Sequence, residues 1–175
     1  MPTRERRAVV LTGLILSLGI TASSTSAGQT LKVGAIPDQN PEKLNRLYGS
    51  LAGELSAKLN VPVRYVPVSN YAAAVSAFRT GSLDLVWLGG LTGVQARLQT
   101  PGARVLAQRD IDARFTSVFI ANGSSGLRPI NSQDQLKQLK GKRFTFGSES
   151  STSGRLMPQY FMKQAGVTPA DFAGG

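Results

Sequence analysis

Short apolar runs alternate with helical patterns from residue 31 to residue 108, and that rhythm restricts the chain to one broad class of fold. Leu31 to Ile36 reads as a strand, followed by the turn Pro37-Asp38-Gln39-Asn40. Asn40 suits an N-cap, Pro41 suits the first helical position, and Glu42 suits the positive end of the helix dipole. Leu44, Leu47, Tyr48, Leu51, Leu55 and Leu59 then recur at helical spacing and make one apolar stripe. Val61 to Val68 is rich in β-branched residues and reads as a second strand. Ser69 to Arg79 is an Ala-rich helix closed by Gly81. Leu83 to Leu88 is a third strand, Gly89-Gly90 a turn, Thr92 to Leu98 a short helix, and Val105 to Gln108 a fourth strand. Strands joined by helices pair in parallel, because parallel neighbours need long crossover connections. The expectation is an α/β fold with mostly parallel sheets flanked by helices.

In open sheets of this kind, ligands lie beyond the carboxyl ends of the strands. The loops Pro37–Asn40, Pro67–Tyr71 and Leu88–Thr92 fall there, which puts Tyr71 and Gly89-Gly90 beside one cleft. A second lobe is expected to begin near residue 116. Thr116 to Ala121 reads as its first strand, Ser132 caps a helix with Leu136 and Leu139 inward, and Arg143 to Phe146 is its next strand. Thr168-Pro169-Ala170-Asp171 reads as a cap and first turn, after which the sequence stops. Two strands bury too little apolar surface for an independent core, so the second lobe is expected to be incomplete and the chain truncated. The expected division is a leader over 1–27, a first lobe over 28–115 and a partial second lobe over 116–175.

The leader rests on three features. Arg4, Arg6 and Arg7 form a basic start, and Val9 to Ile20 is apolar but short for a membrane span. Thr25-Ser26-Ala27 offers small residues for cleavage. This pattern predicts an exported, periplasmic protein. The formal charge is +10; without the leader's three Arg and one Glu it is 17 basic against 9 acidic residues, or +8. The basic residues are scattered singly, apart from Lys140-Gly141-Lys142-Arg143 at an expected turn, so no nucleic-acid partner is expected. There is no cysteine and no histidine. Cys–His and Ser–His–Asp catalysis, His or thiolate metal sites and disulfides are thereby excluded. No catalytic residue, metal or cofactor is expected.

The segment Thr145-Phe146-Gly147-Ser148-Glu149-Ser150-Ser151-Thr152-Ser153-Gly154-Arg155 runs from a strand through a hydroxyl-rich turn into a helix over Gly154–Ala165. Ser151, Thr152, Ser153 and Gly154 would set hydroxyls and free backbone N–H groups at one helix start, where an oxyanion is held without lysine or metal. An ordinary N-cap with extra hydroxyls accounts for the same residues. Glu149 would repel an anion unless it points away, whereas Arg155 would attract one. Tyr71 fits either core packing or a phenol donor. Trp87 reads as core, and Gly89-Gly90 as a plain turn or a close approach to ligand.

Four strings occur in order: Val33-Gly34-Ala35-Ile36-Pro37-Asp38-Gln39-Asn40-Pro41, Tyr71-Ala72-Ala73-Ala74-Val75, Asp84-Leu85-Val86-Trp87 and Ser151-Thr152-Ser153-Gly154. Together they resemble the PhnD-type phosphate, phosphite and phosphonate-binding proteins of bacterial ABC importers, over residues 31–175. That resemblance implies a two-lobed periplasmic binding protein of the type II fold, monomeric, which closes on a small phosphorus oxyanion and delivers it to an inner-membrane permease. It implies ligand contacts from Ser151, Thr152 and Ser153, with Gly154 at the turn, and from Tyr71. The family's aromatic position after the strand-three Trp falls on Leu88, a departure that removes a hydrogen-bond donor and would favour a ligand with a P–H or P–CH3 face. Other readings remain open: a ligand-sensing domain of a signalling protein on the same fold, an enzyme built on a Ser/Lys pair, or a truncated fragment that binds nothing.

Overall fold

A computed structural model of the chain describes residues 29–174. The leader expected at 1–27 lies outside the described residues. β1 (Leu31–Ala35), β2 (Val63–Tyr65) and β3 (Leu85–Trp87) form a parallel sheet in the order β2-β1-β3. Val33 stands opposite both Tyr65 and Leu85, so β1 is the central strand. Its successive residues Val33, Gly34 and Ala35 are all buried, as a strand covered on both faces requires. Asp84 extends the β1–β3 pairing by one residue: the Lys32 N–H donates to its carboxylate at 2.8 Å, and its own N–H donates to the Lys32 carbonyl at 2.9 Å.

The helices start where their caps allow. α1 (Pro41–Leu59) has Asn40 as N-cap, whose side chain accepts from the Lys43 N–H at 2.8 Å, and it ends at Asn60 in the left-handed region. α2 (Tyr71–Arg79) is capped the same way by Asn70, which accepts from the Ala73 N–H. α3 (Gly90–Gln99) differs: its N-cap is Gly89, which has no side chain to offer. Leu44 and Tyr48 of α1 pack with Ala35 of β1, and Tyr65 and Trp87 lie against them. On β1, Gly34 leaves room for Leu83, whose terminal methyls occupy the space a β-carbon would take.

Residues 104–174 depart from the expectation. Val105–Gln108, Thr116–Ala121 and Arg143–Phe146 form no strand among the described residues. A strand exists only through a ladder partner, and none faces these segments. The apolar side chains of Val105, Leu106, Val118 and Ile120 are accordingly exposed, Ile120 to 93%. The expected helix after Ser132 is a tight 3-10 segment, Gln133–Leu139, closed at its start by a reciprocal Ser132–Gln135 capping box. The helix expected over Gly154–Ala165 opens with a π-turn, Thr152–Leu156, before α4 (Met157–Gln164).

A second core nevertheless forms here. Leu136, Leu139, Met162, Ala165 and Val167 are buried together. Phe144 stacks on Phe172 with ring centroids 4.8 Å apart and meets Phe146 edge-on at 4.8 Å. The short turn at Pro169–Asp171 begins at the expected Thr168 cap, with Asp171 accepting from its N–H at 2.7 Å. Among the described residues no helix is long and apolar enough to cross a membrane.

Candidate anion-binding site

In the order β2-β1-β3 the chain passes from β1 to β2 on one side and returns to β3 on the other, and the crevice between the carboxyl ends of β1 and β3 is where such sheets accept ligands. Ile36 to Asn40 leaves β1 at that point, and Leu88-Gly89-Gly90 leaves β3. Opposite them lies the hydroxyl-rich turn. Ser151 is its N-cap and is buried to 8% exposure; its Oγ accepts from the Gly154 N–H at 3.0 Å. The Ser151 carbonyl receives the N–H groups of both Arg155 and Leu156, the second bond spanning five residues. That extra residue widens the first turn into a π-turn. Gly147 and Gly154 touch backbone to backbone, and the Gly147 N–H donates to the Gly154 carbonyl at 2.8 Å. A side chain at either position would force the turn open. Among the described residues, no acceptor meets the N–H groups of Thr152 and Ser153.

The cleft brings this turn against α2 and α3. The Leu91 N–H, in the first turn of α3, donates to Thr152 Oγ1 at 2.7 Å. Thr152 thus supplies the cap that Gly89 cannot. The Tyr71 phenol at the start of α2 lies near enough to the Ser151 hydroxyl for that hydroxyl to lower its pKa. The starts of α2, α3 and the π-turn thus lie together, and a helix start carries the positive end of the dipole. Burial raises the Tyr71 phenol above its ordinary range, Asp38 raises it further, and Ser151 pulls it partly back. Burial and Asp38 act alike on Tyr65, and on Tyr48 they push the phenol up to about 12. At neutral pH all three phenols are protonated and Tyr71 is a donor.

The expected ligand residues separate into two groups. Tyr71, Ser151 and Thr152 lie near one another, and Gly154 packs against Gly147 within the turn. Ser153 contributes its free N–H, while its carbonyl accepts from Ser117 Oγ at 2.9 Å. Leu88 is half-buried with its β-carbon toward Gly93 of α3, and its side chain adds no polar group to the cluster. Trp87 joins the core as expected, yet its ring also carries the Arg109 guanidinium, 5.4 Å from the centroid. Arg109 is fixed there by Asp112, at 2.6 Å and 3.1 Å. Arg155 lies over the Phe146 ring at 4.2 Å, and Glu149 is exposed. Sequence reasoning missed the Leu91 amide, for which no side-chain signal exists. Asp38 was visible only as part of a loop. Among the described residues no cluster of His, Cys, Asp or Glu could hold a metal ion. Tyr71, Ser151 and Thr152 thus bring neutral hydroxyls together beside a helix start, a type of arrangement that can hold an oxyanion.

Residues 33–174 match the family of periplasmic substrate-binding proteins of phosphonate ABC transporters. The chain belongs to that family. It is 59% identical over 146 residues to a probable ABC transporter phosphite-binding protein of Prochlorococcus marinus, covering 83% of this chain and 49% of that protein. It is 27% identical to the phosphonates-binding periplasmic protein of Escherichia coli, over 82% of this chain and 43% of the relative. It is 28% identical to a phosphate-import protein of Mycolicibacterium smegmatis, over 83% and 46%. The chain thus spans about half the length of the curated relatives it matches. Among solved structures, the Prochlorococcus protein in complex with methylphosphonate superposes with a TM-score of 0.80, covering 82% of this chain and 53% of that one. A phosphonate-transporter binding component from Pseudomonas aeruginosa, 21% identical, shares the fold at a TM-score of 0.64 over 85% of this chain and 51% of its own. The architecture is the α/β type II periplasmic-binding-protein fold, of which this chain carries part.

Proposed function

We propose that this chain captures a small phosphorus oxyanion (phosphite, a phosphonate or phosphate) in the periplasm and presents it to the permease of an ABC importer. One observation carries the reading: Tyr71, Ser151 and the unpaired N–H groups of Thr152 and Ser153 converge on the cleft without any metal-ligating or nucleophile–base cluster among the described residues. Each hydrogen bond from such donors to a charged oxygen contributes about 1.5–3 kcal/mol. Family membership and the methylphosphonate held by the 59%-identical relative support the choice of phosphorus over other anions. On this reading the protein is a binding component and not an enzyme, and it works as a monomer. Residues 1–27 act as its export leader.

Residues 28–115 and 116–175 serve as the two walls of the cleft, the second in part. Two separate cores, one around Ala35, Leu44 and Tyr48 and one around Leu136, Met162 and Val167, support that division. The residues from 109 to 121 form the hinge. Melting of the protein with phosphite, methylphosphonate, phosphate and an organosulfonate tests the function. A ligand present at 100 times its Kd stabilises by about 2.7 kcal/mol, which is a readily measured rise in Tm. A panel with no rise for any phosphorus ligand contradicts the reading.

A further inference from the structure

The contact between α3 and the hydroxyl-rich turn has a steric half as well as a polar one. A β-carbon on Gly90 would lie 3.2 Å from Thr152 Oγ1 and 3.6 Å from its methyl, tighter than ordinary packing to the hydroxyl. A side chain at Gly90 would require Thr152 to move away from α3. The polar half constrains the hydroxyl itself. A threonine oxygen has one hydrogen to give and two lone pairs to receive with. Because the Leu91 N–H fills a lone pair at 2.7 Å, the hydroxyl hydrogen is turned away from α3, and among the described residues no acceptor receives it.

We propose that Gly90 and the Leu91 amide form a seat for Thr152 that turns its hydroxyl into a dedicated donor to the ligand. The same seat sets how far the cleft closes, so Gly90 selects for phosphorus oxyanions with a small fourth substituent. This rests on the oxyanion-capture function and deepens it. Thr152 touches the ligand, whereas Gly90 and Leu91 are positioning residues. The seat joins residues 61 apart in sequence, on opposite walls of the cleft, and with its bond already made at 2.7 Å it fixes the spacing of those walls. A ligand whose substituent is hydrogen or methyl fits within that spacing, and a longer chain has to break the seat to enter.

Titration calorimetry of the full-length gene product with phosphite and with ethylphosphonate tests the seat, using Gly90→Ala, Thr152→Val and Thr152→Ser. Gly90→Ala is expected to weaken phosphite binding tenfold or more while weakening ethylphosphonate less, so the preference for phosphite narrows. Thr152→Val has the same shape without the hydroxyl and is expected to lose affinity tenfold or more for both ligands. Thr152→Ser is expected to stay near the parent, and in combination with Gly90→Ala to recover part of the loss. Ligand-free melting of each variant separates this from general damage, and if Gly90→Ala does not fold, Thr152→Val decides. An unchanged phosphite preference in Gly90→Ala, or parent-like binding by Thr152→Val, overturns the seat and leaves the function standing. A parent protein that binds neither ligand overturns both.

Discussion

Leu91 and Thr152 are joined by a 2.7 Å hydrogen bond from backbone to hydroxyl, across 61 residues and between two separate cores. This bond ties the parallel sheet of the amino-terminal part to the hydroxyl-rich turn of the carboxyl-terminal part. It also caps a helix whose own N-cap is a glycine. One threonine therefore serves as helix cap and cleft contact, and in the proposed function also as ligand donor. The predictions below separate such overlapping roles.

Ser151→Ala removes both the cap of the π-turn and a hydroxyl near the Tyr71 phenol. Loss of a serine cap costs about 1 kcal/mol, and burial at 8% exposure leaves no water to replace the bond to the Gly154 N–H. Melting should record that loss without ligand. Binding of phosphite should weaken by more than the stability loss alone accounts for, because the proposed ligand turn loses one of its hydroxyls.

Tyr71→Phe keeps the ring on α2 and deletes only the hydroxyl. Ligand-free stability should change by less than about 1 kcal/mol, since the phenol is half-buried and its net hydrogen-bond contribution is modest. Affinity should fall roughly tenfold, the loss of one donor to a charged oxygen. Equal affinity in calorimetry would show that the phenol only packs.

Gly34→Ala tests the core behind the site. The added methyl would enter the space of the Leu83 side chain, which is 2% exposed and hemmed in. Overpacking of this kind costs about 1–3 kcal/mol. Chemical denaturation should show that loss, and Leu83→Val should recover part of it in the double variant.

Alkaline stability follows from Tyr48. Its pKa is pushed up to about 12 by burial first and Asp38 second, whereas an unfolded tyrosine titrates near 10. The folded state therefore holds its proton where the unfolded state has lost it. Stability from this group is complete below pH 10 and is lost as pH rises from 10 to about 12, by roughly 2 kcal/mol in all. Tyr48→Phe should flatten that decline, as read from Tm against pH.

The first part of the fold was legible because its signals are local. Asn40, Pro41 and Glu42 announce α1 within a few residues, and β-branched runs mark the strands between helices. The strands expected at Val105–Gln108, Thr116–Ala121 and Arg143–Phe146 failed because pairing is a property of two segments. Apolar composition alone provides no ladder partner, and in Phe144 and Phe146 the apolar side chains stack on other aromatics instead. At the site, Ser151 and Thr152 stood out as hydroxyls before a helix. Leu91 could not, since its contribution is a main-chain N–H that every residue but proline possesses.

The account stands most directly on titration calorimetry of the full-length protein with phosphite and methylphosphonate, alongside Ser151→Ala. It predicts saturable one-to-one binding of a phosphorus oxyanion by the parent and affinity at least tenfold weaker in the variant. Absence of heat with every phosphorus oxyanion, or binding that Ser151→Ala leaves intact, would contradict the claim that the hydroxyl-rich turn is the ligand site.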